Sequence, residues 1–320
     1  MSNIKRIGVL TSGGDAPGMN MAIRAVVSAG INAGLEVYGI YEGYKGLVDG
    51  NYKKLTVGEL NEKIPHGGTT LYSARLPEFS DIEVRQKGVD NLKKAGIEAI
   101  VVIGGDGSYR GAKALSDMGI KCIGVPGTID NDIVSTDYTI GFDTALNTAV
   151  EAIDRLRDTS NSHIRCNIVE LMGRLCGDLT LHAGISTGCN IIITKETGFD
   201  KEKVIAKIKK LHDEGERYVT VAIAEKIADI HKLAEEVQAE TGYKTNPIVL
   251  GHIQRGGSPT AADRVLASSM GVYAVKLILN GEEGRCVGIV DNKMTHYDIN
   301  EALDLKREMN PLYEIVKELS

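Results

Sequence analysis

Ala99-Ile100-Val101-Val102-Ile103-Gly104-Gly105-Asp106-Gly107-Ser108 is an unbroken apolar run that passes straight into a glycine-rich loop holding one carboxylate. A short run of this kind reads as a strand buried on both faces, as in a parallel sheet. Roughly twenty residues on, the arrangement returns: Cys122-Ile123-Gly124-Val125 leads into Pro126-Gly127-Thr128-Ile129-Asp130-Asn131-Asp132. Neighbouring parallel strands open their loops side by side, and open α/β sheets bind ligands outside the carboxyl ends of their strands. The expectation is one crevice lined by glycines and by Asp106, Asp130 and Asp132. Glycine lets backbone N–H groups approach phosphate oxygens, and carboxylates hold Mg²⁺ or accept a proton. Together they point to phosphoryl transfer.

Outward from these loops the same punctuation continues. Ile7-Gly8-Val9-Leu10 runs into Thr11-Ser12-Gly13-Gly14-Asp15 and then a helix with Ile23, Val26 and Val27 at helical spacing. Further strands are predicted near 37–41, 166–171, 191–194, 219–224 and 248–251, and helices over 81–95, 143–158, 201–212 and 261–279. Such alternation predicts an α/β fold of parallel sheets with helices on both faces. The long helix around 143–157 is the candidate crossover between two sheets, with the chain returning near 251–257.

Composition fits this picture. A chain of 320 residues, 42% hydrophobic and 25% charged, is long enough for two domains. Its 37 glycines exceed ordinary usage, but with 7 prolines and no G-X-Y period they fit strand-to-helix turns and not a collagenous or disordered chain. A net charge of −6, spread along the chain, gives no basic patch, so neither nucleic acid nor a membrane is an expected partner. The cysteines, at 122, 166, 176, 189 and 286, form no C-x-x-C pair and read as structural thiols. The apolar run after Lys5 and Arg6 is too short for a signal segment, and no stretch approaches membrane length, so a cytoplasmic protein is expected.

Each motif has a bland reading beside the functional one. Gly13-Gly14-Asp15 has the shape of a phosphate loop, and equally of a structural turn. Gly104 to Ser108 says more, because a helix N-terminus follows and attracts anions. In Pro126 to Asp132, Asp130 and Asp132 lie two apart and would face one side of an extended loop, as a base and a metal ligand; alternatively they form an Asx turn capping a helix. Arg165, Arg174 in Met172-Gly173-Arg174, and Arg255 in His252-Ile253-Gln254-Arg255-Gly256-Gly257 each stand at a strand end or glycine turn. Lone arginines are usually solvated, but from such places a guanidinium reaches a phosphate bidentately. Glu225, at another strand end, suits a sugar hydroxyl.

The segments at 11–20, 73–79, 104–112, 126–132, 172–174 and 250–267 (TSGGDAPGMN, SARLPEF, GGDGSYRGA, PGTIDND, MGR and LGHIQRGGSPTAADRVLA) closely resemble the ATP-dependent 6-phosphofructokinases of bacteria, over nearly the whole chain. The resemblance implies two Rossmann-like three-layer domains with mainly parallel sheets. A larger ATP-binding domain would take 1–138 plus 252–304, and a smaller fructose 6-phosphate domain 139–251 plus 305–320. It implies an allosteric homotetramer that uses Mg²⁺ to transfer the γ-phosphoryl group of ATP to the 1-hydroxyl of fructose 6-phosphate in glycolysis. Asp130 then matches the general base, with Thr128 and Arg174 stabilising the transferring group and Asp106 and Asp132 at the metal. Gly14, Arg75, Leu76, Gly105, Asp106, Gly107 and Ser108 match ATP contacts. Thr128, Ile129, Asp130, Met172, Gly173, Arg174, Glu225, His252 and Arg255 match the sugar-phosphate pocket, which Arg165 reaches from a neighbouring subunit.

The same resemblance exposes departures. Asn246 stands where a second neighbour-subunit arginine is expected on the 6-phosphate; a charge-assisted bond is worth about 1.5–3 kcal/mol, so weaker sugar binding follows unless Lys244, about 6–7 Å along the strand, compensates. At the implied effector site for ADP or phosphoenolpyruvate, Arg24 and Arg157 match. Ser28 and Val57 replace arginines there, Asn190 replaces a metal-binding glutamate, and Glu214 and Glu216 replace lysines. Donor choice rests on Gly107 and Gly127, where pyrophosphate-dependent relatives are expected to carry aspartate and lysine. Competing readings are a pyrophosphate-dependent enzyme, a weakly active regulatory paralogue, and a dinucleotide oxidoreductase, the last disfavoured because G-x-G-x-x-G does not follow the first strand.

Overall fold

The computed structural model describes residues 4–319. In chain order the elements are β1 (Arg6–Ser12), α1 (Met19–Asn32), β2 (Glu36–Ile40), α2 (Gly43–Asp49), β3 (Tyr52–Lys54), α3 (Val57–Asn61), α4 (Ile82–Ala95), β4 (Ala99–Gly104), α5 (Asp106–Ser116), β5 (Lys121–Pro126) and α6 (Phe142–His163). There follow β6 (Arg165–Leu171), α7 (Asp178–Thr187), β7 (Ile191–Ile193), α8 (Lys201–Asp213), β8 (Tyr218–Ala224), α9 (Ile230–Thr241) and β9 (Lys244–Val249). The chain ends with α10 (Ala261–Leu279), β10 (Arg285–Val290), β11 (Lys293–Asp298), α11 (Ile299–Asp304) and α12 (Leu312–Glu318). The result is an α/β fold of two mostly parallel sheets.

Two compact units form, one of residues up to Thr144 with Arg255–Arg307, the other of Ala145–Gln254 with Glu308 onward. In the first, a sheet in the order β11-β10-β5-β4-β1-β2-β3 is parallel through its centre, with the antiparallel pairs β2/β3 and β10/β11 at its edges. Its strands alternate between two buried faces. Leu10, Ile40, Ile100, Val102 and Cys122 pack against Leu47, Leu92, Tyr109 and Leu115 of α2, α4 and α5. On the other face α1 lies so close that a Cβ on Gly30 would come within 2.6 Å of Val37. In the second unit the sheet is β7-β8-β6-β9, with α8 and α9 on Ile168, Val221 and Ile223 and α6 and α7 on Val169, Leu171 and Ala222.

The last strand of the second sheet lies earlier in the chain than the apolar run at 248–251 suggested. β9 spans Lys244–Val249, and residues 251–255 form a 3₁₀ turn. Pro247 disguised this strand, but β9 is at the sheet edge, where a missing N–H is tolerated. All five thiols are free, and burial pushes those of Cys122 and Cys166 up to about 12, which makes them inert. No helix of the described residues is long and apolar enough to cross a membrane.

The chain passes between the two units after Thr144, Gln254 and Arg307, and side chains explain two of these divisions. Asp263, 1% exposed in α10, accepts from the N–H groups of Gly141 and Thr144, both at 2.8 Å, and from the Thr144 hydroxyl at 2.5 Å, fixing the first turn of α6. The Thr260 hydroxyl returns the favour by donating to Asp143 at 2.6 Å while accepting from the Asp263 N–H. Likewise Gln254 belongs with the second unit because its Oε1 accepts from Met172 N–H at 3.3 Å. Burial pushes the Asp263 carboxyl above its ordinary range even though its donors pull the other way. Replacing Asp263 by alanine strands three buried donors at about 1 kcal/mol or more each, so Asp263→Ala is expected to melt several degrees below the wild type; an unchanged melting curve would show that these caps carry no weight.

Candidate active site

Register assembles the first half of the site. Ser12 of β1 pairs with Gly104 of β4, and Gly104 with Pro126 of β5, so three strand ends finish level. The Gly127 N–H then donates to Gly104 O at 3.1 Å, and the Ser108 hydroxyl to Ser12 O at 3.0 Å. Gly104 has no room for a side chain, since a Cβ would lie 2.4 Å from Ser12 O and 2.3 Å from Ser108 Oγ. Gly105 faces Thr128 at van der Waals distance, 3.8 Å from where its own Cβ would be. These contacts bring the 104–108 loop, the 126–132 loop and the end of β1 together, as the sequence suggested.

Glycines, a helix N-terminus and an arginine surround that junction. α5 begins at Asp106 with Gly105 as its N-cap and no side-chain cap, and the Ser108 N–H turns back to Gly105 O at 2.9 Å. Gly13 adopts φ +85°, and its carbonyl accepts from the Ser73 hydroxyl at 2.7 Å, which carries Arg75 and Leu76 to the same loop. The Arg255 guanidinium lies over Gly14, with Nη1 2.6 Å from the place a Cβ would take. Asp106 pairs with Arg110 at 2.9 Å, an exposed contact worth little in stability. Gly107 is different from its neighbours: it is exposed, a Cβ there would touch nothing within 4 Å, and its backbone is not in the left-handed region. Gly127 by contrast is buried, its Cβ position lying 3.0 Å from Ile103 and 3.1 Å from Met19.

The 126–132 loop departs from the extended form assumed from sequence. Asn131 sits at φ +51°, so simple alternation does not govern the directions of Asp130 and Asp132. Asn131 holds this turn with both ends of its amide, donating to Asp137 O at 3.2 Å and accepting from Thr139 N–H at 3.0 Å. The Thr139 hydroxyl donates to Thr128 O at 2.7 Å, and the Asp130 N–H to Thr128 Oγ1 at 3.2 Å. From far along the chain, Arg307 Nη1 donates to Asn131 O at 2.6 Å. Sequence reading missed Arg307, and nothing local signals it.

Arg165, Met172, Gly173, Arg174, Glu225 and His252 belong to the second unit. β6 and β8 run parallel in register, and after them the Glu225 N–H donates to Leu171 O at 2.8 Å. Glu225 Oε1 in turn accepts from the Arg174 backbone N–H at 2.9 Å, which ties the loop after β8 to the loop after β6. Gly173 at φ +131° and Arg174 at φ +58° make the tight turn. Glu196, also unforeseen, accepts from Gly177 N–H at 2.9 Å and is met by the Tyr313 hydroxyl at 3.2 Å. Burial, with the Glu225 charge adding to it, raises the Glu170 carboxyl. His252 is exposed in the 251–255 turn. The Nε groups of Arg165 and Arg255 are shielded from solvent and meet no acceptor among the described residues.

The departing residues have other work. Asn246 Nδ2 donates across the β6/β9 pair to Asn167 Oδ1 at 3.1 Å, and Asn167 donates to the buried Ser160 hydroxyl at 2.5 Å. Asn190 exchanges both bonds with the Thr220 backbone, at 2.9 and 3.0 Å, extending the β7/β8 ladder. Arg24 donates to Asn61 at 2.8 Å, Arg157 lies 3.7 Å from Asp154, and Glu214 lies 3.6 Å from Lys210. Ser28 is in α1 and Val57 opens α3.

Comparison with known proteins bears directly on this geometry. Residues 6–278 match the family described as Phosphofructokinase. The chain belongs to the phosphofructokinase family. It is 58% identical over 318 residues to the ATP-dependent 6-phosphofructokinase of Vibrio vulnificus (strain YJ016), covering 99% of each chain. Among solved structures it superposes on phosphofructokinase from Saccharomyces cerevisiae with a TM-score of 0.86 at 34% identity, covering 98% of this chain and 46% of that one. A pyrophosphate-dependent phosphofructokinase from Marinobacter aquaeolei gives a TM-score of 0.83 at 22% identity over 96% of this chain and 86% of its own, a likeness of fold.

The glycines of the 104–108 loop therefore separate into two kinds. Gly104→Ala is expected to lower the melting temperature sharply, because its Cβ meets a backbone carbonyl, whereas Gly107→Ala is expected to leave it within a degree or two. Thermal unfolding of the two variants side by side checks this, and equal losses would contradict the assignment.

Proposed function

We propose that this chain is an ATP-dependent 6-phosphofructokinase, transferring the γ-phosphoryl group of ATP to the 1-hydroxyl of fructose 6-phosphate to give fructose 1,6-bisphosphate and ADP, the committed step of glycolysis. Full-length relatives with that name support the reading. Gly107 carries it to the donor. Internal packing makes no demand for glycine there, so its smallness serves the space beside Asp106, where a nucleotide needs room and an aspartate would bring a second negative charge. Gly127 argues less directly than the sequence suggested, since Ile103 and Met19 already fill the space beside it.

On this reading the 1-hydroxyl oxygen attacks the γ-phosphorus while Asp130 takes its proton. The bond from the γ-phosphorus to the β,γ-bridging oxygen breaks, and ADP leaves. Catalysis of this kind is mostly positioning and electrostatic stabilisation. The α5 N-terminus and the backbone around Gly105, Gly107 and Ser108 hold the donor phosphates, with Gly14, Arg75 and Leu76 bounding the nucleotide. Thr128 and Arg174 stabilise the transferring group. Met172, Gly173, Glu225, His252 and Ile129 hold the sugar phosphate, with Arg255 and with Arg165 of a neighbouring subunit in a homotetramer. Mg²⁺ commonly takes one or two carboxylates plus substrate phosphates. Half-exposed Asp106 and Asp132, each offering one carboxylate at a strand-end loop of the first unit, fit that role. When bound, the ion neutralises charge on the phosphoryl oxygens. A cytoplasmic location suits a glycolytic enzyme. At the effector site, Arg24 and Arg157 alone oppose Glu214 and Glu216, so anionic effectors act weakly.

Two measurements test this. Asp130→Asn is expected to lower kcat by at least about 10²–10⁴-fold while leaving the melting temperature unchanged; near-normal turnover would remove Asp130 from the role. Wild-type protein should give a kcat/KM with ATP far above that with pyrophosphate, and Gly107→Asp should depress the ATP value without unfolding the chain. Faster turnover with pyrophosphate would reverse the donor assignment.

A further inference from the structure

Asn131 lies between Asp130 and Asp132, and a cation from the far end of the first unit grips its backbone carbonyl. Arg307 follows α11 in an irregular segment, and its Nη1 donates to Asn131 O at 2.6 Å. That carbonyl belongs to a turn with two carboxylates, and the turn's shape depends on Asn131 staying at φ +51°. Left-handed backbone is unfavourable for a side-chain-bearing residue, so something must hold it. Asn131 does so from within, through Asp137 O and the Thr139 N–H. Arg307 does so from outside the loop, 176 positions away in sequence.

We infer that Arg307 is a positioning residue, which fixes the direction in which the 130–132 turn presents its two carboxylates. This rests on the reading of Asp130 as the base. A guanidinium bound to the carbonyl resists rotation of the peptide unit following Asn131, and such rotation would swing Asp132 relative to Asp130. Arg307 touches neither the sugar nor the nucleotide in this scheme. Its loss therefore weakens turnover and leaves binding alone, because misplacement of a reacting group by about 1 Å can cost 10²-fold in rate. A residue that merely pinned the chain after α11 would change stability without this division between kcat and KM.

The experiment compares Arg307→Met, Arg307→Lys and Arg307→Ala with Asp130→Asn, measuring kcat, both KM values and melting temperature. Arg307→Met keeps much of the stem and loses the donors; its kcat is expected to fall about 10–100-fold, with KM for ATP and for fructose 6-phosphate within about twofold. Arg307→Lys should keep part of the rate. Adding guanidinium ion at low concentration to Arg307→Ala should restore several-fold of the lost turnover, and should do nothing for Asp130→Asn. Wild-type kcat in Arg307→Met, or raised KM values at unchanged kcat, overturns the inference. If Arg307→Met does not fold, the kcat-to-KM division in Arg307→Lys decides in the same way. An inactive Asp130→Asn beside a normal Arg307→Met removes only Arg307 from the scheme, whereas a fully active Asp130→Asn removes the base itself.

Discussion

Ser12, Gly104 and Pro126 stand side by side at the ends of three parallel strands, and the backbones following them are in direct contact. Much else in the first unit follows from that alignment. Because Gly104 lies against Ser12 O with no room for a methyl group, the β4 loop can turn at once into α5, whose N-terminus follows directly on the level ends of β1, β4 and β5. The Ser108 hydroxyl then closes the arrangement by returning to Ser12 O. Phosphate groups are recognised by fixed N–H directions, and strands buried on both sides hold such directions better than loops do.

The second unit repeats the logic with different chemistry. Level ends of β6 and β8 set Leu171 O against the Glu225 N–H, and Glu225 then accepts from Arg174 N–H. Arg174 occupies left-handed backbone, a conformation that costs roughly 1–2 kcal/mol for a residue with a Cβ. The bond to Glu225 and the Cys176 N–H bond to Gly173 O offset that cost. Strain of this kind collects where a side chain must be aimed, and here it falls on a residue given a role in transfer.

Most of this was legible because the relevant signals are local. Apolar runs ending in glycine marked β1, β4 and β5, and helical periodicity marked α4, α8 and α10 to within a residue or two. The edge strands of the first sheet escaped notice: β11 is Lys-Met-Thr-His-Tyr-Asp, too polar to read as buried, although the Asp291-Asn292 pair before it, both at positive φ, is the kind of two-residue turn that joins a hairpin. Asn131 escaped too, since an Asx-rich loop does not disclose which residue turns left-handed. Arg307 and Tyr313 were beyond reach, because their partners are over a hundred positions away and lie on backbone or on loops with no periodicity.

The positions that depart from the family pattern show why a charge cannot simply be restored. Asn246 lacks the cation expected toward a sugar phosphate, yet its amide feeds Asn167, which is 1% exposed and itself donates to Ser160. An arginine at 246 would offer a charge-assisted bond worth about 1.5–3 kcal/mol to the proposed ligand, but aimed outward it leaves Asn167 Oδ1 unmet in the sheet interior, a loss of about 1–3 kcal/mol. Gain and cost are of one size and fall on different quantities, binding in one case and stability in the other. Asn190 poses a related problem, because a replacement whose oxygen does not reach the same point gives up its bond to the Thr220 N–H. In both places the neutral amide has become part of how the sheet is held; regaining a charge at 246 calls for changing Asn167 in the same step, whereas the donor that Asn190 serves is a backbone N–H that a side-chain change at 220 does not remove.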